Sequence, residues 1–123
     1  MIRDGFRAIM DSICPEDLAA EWDNSGFQIS MPGDSVGERI LVALDITDAI
    51  IDQAEMIGAD TIVTHHPLFF DPLKSLSYDD NAGRYAIRLS AKGISVYSCH
   101  TNFDRMQGGI NDEIGRLLGM RNV

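Results

Sequence analysis

Ile40-Leu41-Val42-Ala43-Leu44, a stretch carrying Ile50, Ile51, Ala54 and Ile57 that stops at Gly58, and then Thr61-Ile62-Val63-Thr64 decide the fold. The two outer runs are short, continuous and rich in branched side chains, as buried strands are. The middle run repeats its apolar residues at helical spacing before a glycine ends it. Strand, helix and strand at this spacing are the unit of a parallel sheet with right-handed crossovers. The unit recurs downstream: Ala82, Tyr85, Ala86 and Leu89 share one face of a helix stopped by Gly93, and Ile94-Ser95-Val96-Tyr97-Ser98-Cys99 forms a further strand.

Outward from this centre, Ile2, Phe6, Ile9, Met10 and Ile13 fall at helical spacing before Pro15 closes the run. The segment from Leu18 to Ile29 ends in a strand-like stretch, and Pro32-Gly33-Asp34 supplies turn chemistry. A last helix carries Ile110, Ile114, Leu117 and Leu118. The expected fold is α/β: a mixed, partly parallel sheet flanked by helices. Its 123 residues form a single lobe, long enough for one core and too short for two.

Nineteen acidic against ten basic residues give a net charge of −9, which repels phosphate backbones and anionic lipid. Nucleic acid and membrane surfaces are therefore not the expected partners. No window has the apolar length of a membrane span, and the start does not read as a secretory signal, so the cytoplasm is the expected compartment. Cys14 and Cys99 lack metal-knuckle spacing and read as buried or incidental thiols.

Open α/β sheets bind ligands beyond the carboxyl ends of their strands, where loops converge. Those ends here carry Asp45-Ile46-Thr47-Asp48, His65-His66-Pro67 and His100-Thr101-Asn102-Phe103-Asp104. All three histidines of the chain fall at two of them. Imidazole nitrogens and carboxylate oxygens converging from several loops are what a metal site requires, so His65, His66 and Asp104 are the expected ligands. Adjacent residues in extended chain point to opposite sides, so two ions suit the His65-His66 pair better than one. A carboxylate such as Asp104 can bridge ions about 3.5–4 Å apart that activate a shared water. His100 is the expected catalytic residue, tuning a ligand or moving protons. Plainer roles fit the neighbours. Asp45, Thr47 and Asp48 either cap the following helix or lie near the site, Asn111 caps the last helix, and Trp22 anchors a core or an interface. Gly108-Gly109 gives the loop before the last helix its backbone freedom.

Four blocks in order carry a resemblance to a known family. They are Leu18 through Gln28, containing Glu21-Trp22-Asp23-Asn24-Ser25-Gly26; Leu44-Asp45-Ile46-Thr47; Thr64-His65-His66-Pro67-Leu68-Phe69-Phe70; and His100-Thr101-Asn102-Phe103-Asp104 with Gly108-Gly109-Ile110-Asn111-Asp112. Together they resemble the dinuclear metal-centre family named for Ngg-interacting factor three, also labelled GTP cyclohydrolase 1 type 2 homologue. The resemblance implies that His65, His66 and Asp104 bind two divalent ions, zinc, iron or manganese, with His100 beside them. It also implies a ring-shaped homo-oligomer, and a chain about twice this length that completes the centre with a later His and Glu. No histidine follows His100 here. The chain then matches the amino-terminal half, as a piece of a longer protein, a split-gene product whose partner chain supplies the second half, or a short form. Two functions are implied: a metal-dependent, hydrolase-like protein acting on a phosphate-bearing or nucleotide-like small molecule, or a non-catalytic metal-binding or oligomeric interaction module. An incomplete lobe without activity is the third outcome.

Overall fold

The structure, a computed structural model, describes residues 1–122; Val123, the last residue of the expected lobe, lies outside the described residues. Helix α1 (Arg3–Ile13) is followed by a 3-10 turn (Glu16–Leu18) and strand β1 (Gly26–Ile29). Strand β2 (Ile40–Ala43), helix α2 (Asp48–Ile57), strand β3 (Thr61–Thr64), helix α3 (Asn81–Ala91) and strand β4 (Ser95–Ser98) follow in alternation. Helices α4 (Thr101–Arg105) and α5 (Ile110–Leu117) come last among the described residues.

Local chemistry sets the crossover helices. The Thr47 hydroxyl accepts from the Ile50 N–H at 3.2 Å, and Asp80 accepts from the Gly83 N–H at 3.2 Å, so each helix has one orphan donor satisfied at its start. Gly58 closes α2 in the left-handed conformation, with φ of 68°, where its N–H reaches back to the last turn. Gly83 is required by a close approach instead, because a Cβ there would lie 2.3 Å from the Ser77 carbonyl oxygen.

The strands form one sheet in the order β1, β4, β3, β2. β2, β3 and β4 are parallel, in a register that aligns Ala43, Thr64 and Ser98, while β1 runs antiparallel to β4 on the outer edge. The mixed α/β architecture thus agrees with the sequence reading. On one face, Ile62 and Val96 pack with Ile51 and Ala54 of α2 and Ala86 and Leu89 of α3. On the other, Tyr97, Phe27 and Val63 meet Phe6 and Met10 of α1 and Phe103 of α4. Full burial of such side chains stabilises by roughly 1.5–3 kcal/mol each. Arg84 and Arg88 of α3 hold Asp48 of α2 in forked ion pairs and tie the two crossovers together.

Not every apolar stripe is covered. Ile9 and Ile13 of α1, Val42 and Leu44 at β2, and Ile114 and Leu117 of α5 stand exposed. Between α1 and β2 an apolar groove of about 250 Å³, lined by Met10, Ile13, Val42 and Val63, opens beside His65. Helix α4 was not legible in the sequence, since five residues are too few to show a period. No helix among the described residues is long and apolar enough to cross a membrane.

Candidate metal centre

The parallel ladder continues past the strand ends and carries the histidines with it. The His66 N–H donates to the Leu44 carbonyl at 3.0 Å, and the Cys99 N–H donates to the Thr64 carbonyl at 2.9 Å. Below them, the Thr64 hydroxyl donates to the His66 carbonyl at 2.9 Å and shares a 2.7 Å hydrogen bond with the Ser98 hydroxyl. Both hydroxyl residues are buried, so this polar pair clamps the corner where Pro67 ends the run.

The chain bends at His65 and His66 rather than staying extended. Their rings therefore do not point to opposite sides, as an extended chain would require, and their centroids lie 5.2 Å apart. His100, arriving from β4, has its ring centroid 5.2 Å from that of His65 and 5.7 Å from that of His66. One ring nitrogen from each of the three lies within 4.8 Å of the others, a cluster that could hold a metal ion.

Each imidazole is held from behind at Nδ1. His65 donates to the Cys99 carbonyl at 2.8 Å, His66 to Asp45 at 2.6 Å and His100 to Asp23 at 2.8 Å. Carbonyl and carboxylate oxygens only accept, so Nδ1 is the donor in all three rings and Nε2 is the nitrogen left to face a metal ion. Metal-binding imidazoles are oriented in this way, by an acceptor that fixes the ring and raises its basicity. The donor set thus fits a divalent ion of the kind that takes nitrogen and oxygen ligands.

Asp104, in the single turn of α4, brings Oδ1 to 3.6 Å from Nε2 of His65. Its helix is fixed by buried Asn102, which accepts from the Ser25 hydroxyl and donates to the Cys14 carbonyl. Asp23 is the pivot of the cluster. Its side chain is sealed from solvent, and it accepts from His100, from the Thr101 N–H at 3.0 Å and from the Thr101 hydroxyl. Burial alone would raise its pKa. The hydrogen bonds from Thr101, His100 and the Asn24 N–H outweigh that and hold the carboxyl well below the usual range, so it stays ionised.

Several sequence-based assignments resolve here. Thr47 is the cap of α2, Asp45 belongs to the site through His66, and Asp48 serves the ion pairs with α3. Asn111 does not cap α5, whose first flanking residue is Gly109; its amide donates to the Asp104 carbonyl at 3.0 Å. Trp22 is no core residue, being 65% exposed, because the chain turns outward between Ala20 and the sealed Asp23. Asp23 had no assigned role in the sequence reading, since no local pattern shows that it meets His100. Both cysteines are buried, as expected.

The family model for Duf34/NIF3 (NGG1p interacting factor 3) matches residues 1–123. A GTP cyclohydrolase 1 type 2 homolog from Lactococcus lactis is 37% identical over 118 residues, which are 96% of this chain and 46% of that protein. Among solved structures, a Bacillus cereus protein related to NIF3 superposes with a TM-score of 0.88 at 36% identity, over 97% of this chain and 32% of that one. Reduced HcgD from Methanocaldococcus jannaschii superposes with a TM-score of 0.84 at 32% identity, over 99% of this chain and 48% of that one. The chain spans less than half the length of these relatives. On sequence and fold together, it belongs to the Duf34/NIF3 family.

Proposed function

We propose that this lobe supplies one side of a dinuclear divalent-metal centre, with zinc, iron or manganese bound by His65, His66 and Asp104, in a cytoplasmic, hydrolase-like protein. Its substrate in this reading is a phosphate-bearing or nucleotide-like small molecule. The observation that carries the reading is the common mounting of three imidazoles, each anchored at Nδ1 and converging with the others. Bound at these residues, divalent ions would supply positive charge for a phosphoryl oxygen and would acidify a water. The chain's own residues do the rest: Cys99 and Asp45 fix the tautomers of His65 and His66, and Asp104 brings a carboxylate oxygen to 3.6 Å from Nε2 of His65. His100, oriented by the ionised Asp23, is the proton carrier. The remaining ligands come from a second lobe like the one that fills the rest of the relatives' length, or from a neighbouring copy.

Metal content per chain, measured by plasma mass spectrometry on untagged protein, tests this. About two equivalents, lost in both His65→Ala and Asp104→Ala without loss of helical circular dichroism, is the expected result. Wild-type metal content in both variants sinks the assignment.

The uncovered stripe of Ile9, Ile13, Val42 and Leu44 favours a second reading, a metal-stabilised interaction module that works through its assembly surfaces. Metal-dependent turnover of a phosphoester abolished by His66→Ala excludes it. Stabilisation by metal with no turnover across such substrates supports it.

A further inference from the structure

Two large aromatic side chains stand in water at the rim of the histidine cluster, and the fold spends polar contacts on keeping them there. Trp22 is 65% exposed and Phe70 is 53% exposed. Their ring centroids lie 6.1 Å apart, and each lies 6.5 Å from the ring of His100, so the three rings form one continuous wall. The backbone beside each exposed ring is fixed. Next to Phe70, the Phe69 carbonyl accepts from the Asn24 amide at 2.6 Å, and the Phe69 N–H donates to the Gln28 amide oxygen at 3.0 Å. Gln28 also donates to the Asn24 carbonyl at 2.8 Å, which closes a small amide lattice between the two loops. Next to Trp22, Asp23 is sealed and accepts from Thr101 and His100.

An indole and a phenyl ring left in water forgo the stabilisation that burial gives, and neither packs into either core cluster. The lattice therefore presents them outward without any gain to the core. The two rings are tilted by 52° and touch each other, so no ring fits between them; the outer faces are what they offer. A flat π-system stacks on such a face regardless of its substitution pattern. The wall adjoins His100, so a ligand stacked on it lies beside the histidine cluster and can turn a polar group toward it.

We infer that Trp22 and Phe70 form a stacking platform for a planar heteroaromatic ring whose attached phosphate lies at the histidine cluster. The phosphate half of this inference rests on the metal reading above; the ring half rests on the aromatic wall alone.

Trp22 is the single tryptophan of the chain, so its emission reports on this place directly. Zinc-loaded protein is titrated with adenosine 5′-monophosphate and with ribose 5-phosphate by calorimetry, and with the nucleotide by Trp22 fluorescence. The nucleotide is expected to quench Trp22 and to bind about tenfold or more tightly than the ringless phosphate. Phe70→Ala is expected to cut that ratio several-fold while leaving zinc content unchanged. Affinities within twofold of each other, or a ratio unmoved by Phe70→Ala, overturn the platform. Adenosine titrated into zinc-free protein separates the two readings: quenching is expected there at higher concentration, and its absence overturns the platform whatever the metal content. Trp22 emission shielded from acrylamide in the ligand-free protein also overturns it, since another chain then covers the wall.

Discussion

Nδ1 of His100 lies 2.8 Å from Oδ1 of Asp23, across 77 residues of sequence. The carboxylate is buried, ionised and supplied with donors from Thr101, so the imidazole above it has one tautomer and one orientation. That pair joins the loop before β1 to the loop after β4, the two strands that run antiparallel.

The ionised state of Asp23 has a pH signature. Its carboxyl is held below its unfolded-state value near 3.8, so between those two values the unfolded chain binds more protons than the native one. The stability it contributes is complete above the unfolded value and is lost as pH falls toward the folded one. Wild-type protein is expected to lose melting temperature between about pH 5 and about pH 2 more steeply than Asp23→Asn. Equal slopes for the two proteins would count against the ionised assignment.

Asp45 accepts from Nδ1 of His66 at 2.6 Å, and in the proposed centre it is the partner that orients that ring. Asp45→Ala is expected to weaken zinc binding by about 10–100-fold while the fold persists, the range seen when such supporting groups are removed. Competition against a chromogenic chelator measures this, and an unchanged affinity would reassign Asp45 to the surface.

Core and uncovered positions should separate cleanly. Leu89 is fully buried between α3 and the sheet, and Leu89→Ala is expected to cost about 2–5 kcal/mol in urea unfolding. Val42, 75% exposed on β2, is expected to change by about 0.5 kcal/mol or less on replacement by Ala. A large loss at Val42 in the isolated chain would show that its strand face is covered, by a second copy or by another lobe.

The two thiols should be inert. Burial first, and then the adjoining Cys14, push the Cys99 thiol up to about 12, and burial also raises Cys14. Thiolate is the reactive form, so native protein at pH 8 is expected to resist iodoacetamide while urea-unfolded protein is alkylated at both sites. Fast labelling of the native chain would mean that the Cys14–Cys99 region opens readily.

Local physics made much of this molecule readable from its sequence. The alternation of Ile40–Leu44, the α2 stripe, Thr61–Thr64 and the α3 stripe identified the parallel crossovers, because side-chain period, helix caps and glycine stops act over a few residues. The position of His65, His66 and His100 after apolar runs placed all three beyond strand ends, since parallel strands release their next residues at one shared edge of the sheet. Tertiary structure decided the rest. A period shows which face of an element is apolar and not whether another element covers it, so Ile13, Val42 and Leu117 had the pattern of core residues and stand exposed. The pairing of Asp23 with His100, the support of His66 by Asp45, and the exposure of Trp22 beside Phe70 join residues far apart in the chain. Such contacts are set by how the sheet orders its strands, and no local propensity encodes that order.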